Sequence, residues 1–328
     1  MRRRAFVIAG GGLAVLGPLH ASAQQPARLR QVGFLAAGGR PPKSAVPPAF
    51  GQALQGLGYV EGQHITYEAR YAEGKIEMLP ALAADLVQRN VDVIVANSGP
   101  AGVAAKRATA SIPIVLANGA GDAVATGMIA SLARPGGNVT GMSEEAVQLS
   151  AKRLELIKET FPKSTKIAVL WNADDLGMTL RYREIDKAAR ALRVQVQPLE
   201  VRAPNDFETV FAAMSRDRPD AVFLVADPLT ILNRRQLVEY AAKHRIPAMY
   251  EYAFIVRDGG LMSYGSTLED GFRVAASYVD RILKGAKPSE LPVQQPTRYY
   301  LTVNLKTAAA LGVTIPASIL VRADEVVQ

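Results

Sequence analysis

Short apolar runs alternate with helix-length amphipathic segments along most of this 328-residue chain. That alternation predicts parallel sheets covered by helices, because parallel neighbours need a crossover connection and a helix supplies it. Residues 31–36 form the first apolar run, closed by Gly38-Gly39-Arg40-Pro41-Pro42. A helix is expected over 48–57, a strand over 64–71 and a helix over 79–89 with Leu79, Leu82, Ala83 and Leu86 on one face. A strand over 91–96, a small-residue helix over 100–108 and a strand over 112–117 complete the first set. The order restarts with a strand at 166–171, then a helix over 178–192, a strand over 194–201 and a helix over 207–215. A strand over 220–225, a helix over 229–244 and a strand over 246–250 follow. Asp92-Val93-Ile94-Val95 is echoed by Asp220-Ala221-Val222-Phe223. Ile112-Pro113 and Ile246-Pro247 each open the next strand, where a missing ladder donor is tolerated. The tail adds a strand at 261–265, a helix over 268–283 stopped by Lys284-Gly285, and a strand and helix over 300–311. The fold class expected is α/β, with two similar lobes and a chain that crosses between them more than once.

The chain opens on Met1-Arg2-Arg3-Arg4-Ala5-Phe6-Val7, continues with an apolar run from Ile8 to Leu19 and reaches Ala21-Ser22-Ala23. A basic start, a short apolar stretch and a small-x-small site form the pattern of a secretory signal peptide over 1–23, cleaved near Ala23. Arg3-Arg4-Ala5-Phe6-Val7 also fits the twin-arginine form. The run is shorter than the ~20 apolar residues a membrane span takes. The expectation is therefore an exported, periplasmic protein.

Composition narrows the function classes. The formal charge is +8, and removing Arg2, Arg3 and Arg4 leaves 8 − 3 = +5. Basic residues alternate with acids, as in Lys152-Arg153-Leu154-Glu155 and Arg181-Tyr182-Arg183-Glu184, so no basic stripe marks a nucleic-acid surface. The chain has no cysteine, which excludes disulfides, thiolate metal sites, a cysteine nucleophile and a lipidated cysteine after the signal. No phosphate-binding Gly-x-x-x-x-Gly-Lys motif and no Gly-x-Ser-x-Gly elbow occurs, and no histidine has metal spacing. No cofactor and no metal are expected.

In open parallel sheets ligands bind beyond the carboxyl ends of the strands. Those ends carry Gly38, then Asn97-Ser98-Gly99, then Gly121-Asp122 in the first half. In the second half they carry Asn172 and Asp174, then Asp227, then Glu251-Tyr252, then Tyr264. Ser98 or Gly99 starts a helix with Pro100 in its first turn, and free amides there suit a carboxylate. Asp122, Asp174, Asp227 and Glu251 can each receive an ammonium group, or each can cap the helix that follows. Tyr252 and Tyr264 can cover an aromatic ligand, whereas Trp171 ends an apolar strand and is expected to pack inside its lobe.

Several blocks agree with a known group. They are Gly58-Tyr59-Val60-Glu61-Gly62-Gln63, residues 79–87, Ala133-Arg134-Pro135-Gly136-Gly137-Asn138-Val139-Thr140-Gly141, residues 259–265 and Asn304-Leu305-Lys306-Thr307-Ala308. With them the chain resembles the ABC-transporter substrate-binding family related to tryptophan/tyrosine-type binding proteins. The resemblance implies a type 1 periplasmic binding fold: two Rossmann-like lobes, three linking segments and a ligand cleft. The lobes would comprise 31–140 with 266–292, and 141–265 with 293–328. With the strand-end residues, the expectation is a small carboxylate-bearing ligand, an amino acid or aromatic acid, bound by hinge closure and delivered to an ABC permease of the inner membrane. The protein would be a monomer and not an enzyme. Similar proteins commonly have Asn-Pro-x-Asn-Pro where this chain has Asn172-Ala173-Asp174-Asp175-Leu176. An exported hydrolase-like α/β enzyme, or a sensor presenting ligand to a membrane receptor, are the alternatives.

Overall fold

The computed structural model describes residues 28–328 except residue 145, with backbone only for 146–148. The signal peptide expected over 1–23 lies outside the described residues. Five parallel strands form the first sheet: β1 (Arg30–Ala36), β2 (Ile65–Tyr71), β3 (Val93–Asn97), β4 (Ile114–Leu116) and β5 (Val139–Gly141), in the order β2-β1-β3-β4-β5. The second sheet has seven strands: β6 (Lys166–Asn172), β7 (Gln195–Val201), β8 (Ala221–Leu224), β9 (Ala248–Tyr250), β10 (Met262–Gly265), β11 (Tyr300–Asn304) and β12 (Glu325–Val327). Its order is β12-β11-β10-β9-β8-β6-β7, and only the β10–β11 pair is antiparallel. Both sheets start from a central first strand and are Rossmann-like.

Strand alternation builds a layer on each face, because successive side chains point to opposite sides. Val32 and Phe34 pack with Phe50, Phe272 and Val279 on one face of the first sheet. Leu35 and Ile94 pack with Leu79, Leu86 and Ala101 on the other. In the second sheet Ile167, Val169 and Trp171 join Met178, Ile185 and Leu154, while Ala168 and Leu170 join Phe207, Met214 and Leu237. Trp171 stacks on Tyr182 with ring centroids 3.8 Å apart, so it packs within its lobe.

The turn-rich passage 134–141 also carries β5, the edge strand of the first sheet, and the chain leaves that sheet at Met142. Helix Ala146–Thr160 and strand β12 have no counterpart in the sequence reading. The chain returns to the first sheet after Gly265: helix Leu268–Leu283 packs on helix Pro48–Gly56 and on β3, β4 and β5. It then passes back beside the first connection, where Ser143 N donates to Gln294 O and Gln294 N donates to Gly141 O, both at 2.9 Å. That return delivers Tyr300 opposite Gly265 at the cleft end of β10, so β11 must run away from the cleft and is antiparallel.

The docking of helix Leu268–Leu283 depends on close approach at Gly271. A Cβ there would collide with Asn118 Oδ1 and sit 2.9 Å from the Ala117 carbonyl oxygen. Asn118 Nδ2 donates to Leu268 O at 3.2 Å in the same seam. Gly271→Ala should therefore lower stability by about 1–3 kcal/mol, the usual cost of overpacking, measured by urea unfolding.

Candidate functional site: a cleft between the two sheets

The carboxyl ends of β1, β3 and β4 face those of β6, β8 and β9 across a cleft, and the two sides touch. A Cβ built on Gly74 would lie 3.0 Å from Leu232 Cδ1, and one on Gly121 would lie 3.8 Å from Gly177 Cα. Glu144, on the first connection, accepts from Gly119 N at 3.1 Å and donates its own amide to Gly121 O at 3.0 Å. Between the two sides lies a cavity of about 480 Å³, within the range of small-ligand sites. Ile76, Leu79, Gly99, Pro100, Val103 and Arg107 bound it from one side. Asp174, Asp175, Leu176 and Gly177 bound it from the other.

The helix start at Ser98 is occupied by its own neighbours. Ser98 Oγ accepts from Ala101 N at 3.2 Å, Ser98 O accepts from Gly102 N at 3.0 Å, and Gly99 N donates to Gly119 O at 2.7 Å. With Pro100 lacking an N–H, the amides expected to hold a carboxylate already have partners. Ser98 is held at φ 146°, ψ 162°, a region that costs on the order of 1–3 kcal/mol for a residue with a side chain. This strain sits at the cleft, locked by those three bonds.

Most candidate carboxylates serve as caps or ion-pair partners. Asp227 caps helix Pro228–Leu232 through Thr230 N at 2.8 Å and accepts from Asn172 Nδ2 at 2.6 Å. Burial pushes its carboxyl up, and these bonds only partly oppose that. Asp122 Oδ1 holds the turn at Val124 N and Ala125 N, at 2.9 and 3.0 Å. It also borders a second cavity, of about 430 Å³, with Arg181 and Glu184. Asp174 is exposed, borders the main cavity and pairs with Arg202 at 3.2 Å. Gly99 borders the main cavity too. Tyr252 borders a smaller one of about 240 Å³ with Leu268 and Tyr300, and burial lifts its phenol well above the usual value. Tyr264 turns its ring to Tyr299 and lends its carbonyl to Arg153 Nε at 2.6 Å. Asn97 is the last residue of β3, and Gly38 and Gly121 lie on strand-end loops of the first sheet.

Glu251 is the centre of a buried charge cluster. It hydrogen-bonds Arg181 and lies 3.5 Å from Arg153, and all three side chains are 3% exposed. Arg181 reaches Glu144 at 3.8 Å. Burial pushes Glu251 up, but Arg153 and Arg181 together bring its carboxyl below the ordinary value. Sequence reasoning took Arg153 and Arg181 as members of scattered, alternating charge runs. Their helical spacing gave no sign that both turn inward.

Asp175 belongs to the strand-end run Asn172-Ala173-Asp174-Asp175, but sequence reasoning singled out only Asn172 and Asp174 from it. Asp175 caps helix Leu176–Ala191, with Oδ1 accepting from Gly177 N at 2.8 Å and Met178 N at 3.4 Å, while buried Oδ2 has no hydrogen-bond partner. Burial, and then the negative charge of Asp227, push its carboxyl up to about 6.

The family model described as "ABC transporter substrate binding protein" matches residues 43–327. The chain belongs to that family. A "Tyrosine-binding protein" of Clostridioides difficile (strain R20291) is 26% identical over 263 residues, covering 80% of this chain and 75% of the relative. A solved ABC domain in complex with L-Trp from Streptococcus pneumonia is 24% identical, with a TM-score of 0.83 over 91% of this chain and 100% of that one. A ligand-free, open substrate binding protein with adhesive properties from Clostridium difficile is also 24% identical, with a TM-score of 0.64 over 92% of this chain and 100% of that one. The fold of this family member is thus the type 1 periplasmic binding fold.

Two outcomes follow from these charges. Glu251→Gln leaves two buried guanidinium groups without their main anion, and should cost about 3–5 kcal/mol in urea unfolding. Asp175 keeps a proton in the folded state that the unfolded chain has released, so its own contribution to stability slopes downward as pH rises between about pH 4 and pH 6. Asp175→Asn cannot titrate and should flatten that slope, read as melting temperature from pH 4 to pH 8.

Proposed function

We propose that this substrate-binding protein serves an ABC importer outside the cytoplasm, and that it closes over a small amino acid with an aromatic side chain. The observation that carries this reading is the arrangement of the lobes. Two relatives of equal identity differ in likeness: the L-Trp complex scores 0.83 and the open, ligand-free protein 0.64. The contacts of Leu232 with the Gly74 turn and of Gly121 with Gly177 agree with a closed form. Three chain passages, near 142–144, 265–268 and 294–298, act as the hinge. The lobes that move are 31–140 with 266–292, and 141–265 with 293–328.

Arg107, exposed on the cavity wall and without an ion pair among the described residues, is the cation available to a ligand carboxylate. The apolar walls take the aromatic body, and the closed protein then docks on its permease as a monomer. Among the described residues no helix is long and apolar enough to cross a membrane. Export with removal of the first 23 residues fits this role.

Titration with L-tryptophan and L-tyrosine tests the reading. At a hundred times its dissociation constant a true ligand adds ~2.7 kcal/mol of stability. Small-angle scattering should show the same ligand compacting the protein. A ligand that stabilises without compaction would refute hinge closure, and no shift with either amino acid would refute the aromatic choice.

A further inference from the structure

The cavity shared by the lobes is walled by hydrocarbon from Ile76, Leu79, Val103 and Leu176, with Arg107 on one wall and Asp174 and Asp175 on the opposite one. Asp175 is only half used by the fold. One oxygen caps the helix, and the other is buried without a hydrogen-bond partner. A cap does not require that second oxygen, since serine or asparagine would satisfy the same amides. A buried acceptor left unpaired is costly, and more so when charged. The unpaired oxygen belongs to a residue at the border of the two lobes, where a ligand group is the partner that can arrive.

The surrounding charges set the sign of that group. Asp227 adds negative potential beside Asp175. Arg181 is the cation acting on Asp175, and it is already engaged by Glu251 and Glu144. Asp174 is paired with Arg202. A carboxylate brought here would be repelled, and an ammonium would be attracted.

We propose that Asp175 is the specificity-determining residue of the interlobe site, accepting a hydrogen bond from a protonated amine on a ligand with an apolar body. This rests on the solute-binding reading above and narrows it: amines are selected over the corresponding amine-free acids. The ligand's carboxylate then lies toward Arg107.

Isothermal titration of the full protein tests this with four probes: L-tryptophan, L-tyrosine, indole-3-propionate and 3-(4-hydroxyphenyl)propionate. Wild type, Asp175→Asn and Asp175→Ser are compared, since both replacements retain an oxygen for the helix amides, and thermal unfolding checks that each is folded. Wild type should prefer each amine over its amine-free partner at least tenfold. Both variants should lose that preference through a tenfold or greater loss of amine affinity, with the amine-free acids unaffected. An amine preference intact in both variants overturns the inference and leaves Asp175 a helix cap. Equal wild-type binding of amines and amine-free acids also overturns it, with solute binding still standing. Wild type binding none of the four overturns the aromatic amino-acid reading and the inference together.

Discussion

The structure turns on a small charge cluster in which three side chains are almost wholly shielded from water and Glu144 is partly exposed at the border. Arg153 comes from helix Ala146–Thr160, Arg181 from helix Leu176–Ala191, Glu251 from the end of β9 and Glu144 from the first connection between sheets. Charges buried to this depth are tolerated only when each has its opposite within reach. The elements that carry them therefore cannot shift independently. Two helices and a strand end of the second lobe are tied together, and Glu144 extends the tie to the Gly119 amide of the first lobe. Glu144 thus joins the charged cluster on one side of the cleft to the backbone of the other.

The chain's route places that linkage where it is needed. Two connections run side by side at Ser143 and Gln294, and the remaining one leaves at the end of β10. All lie at the edge of the cleft, and each sheet is complete on its own side of them. The same route reverses β11, because a strand that starts at the cleft can only run away from it.

Inside the cleft most polar groups are spent on the protein itself. Asn172 and Asp227 bond each other, Asp122 holds a turn, and the amides after Ser98 are capped. Such self-satisfaction keeps the strand ends in one geometry without a ligand, which lowers the ordering cost of binding. The exceptions on the cavity wall are Oδ2 of Asp175, which has no hydrogen-bond partner, and Arg107, which has no ion pair among the described residues.

The alternation of apolar runs with amphipathic segments determined the two α/β layers, and the strand-end rule pointed to loops that border the cavity between them. Local chemistry determined the caps at Ser98 and Asp227 and the inward packing of Trp171, because each depends on residues a few positions apart. Only the tertiary structure decided which charges are buried. Arg153 and Arg181 sit in runs that read as solvated surface, and nothing within a helical turn shows that Glu251, 98 and 70 residues on (251 − 153 and 251 − 181), comes to meet them. Likewise it was folding that left Asp174 exposed and buried Asp175, although both border the cavity. Adjacent side chains leave the backbone in different directions, and the lobe that covers one of them is distant in the chain.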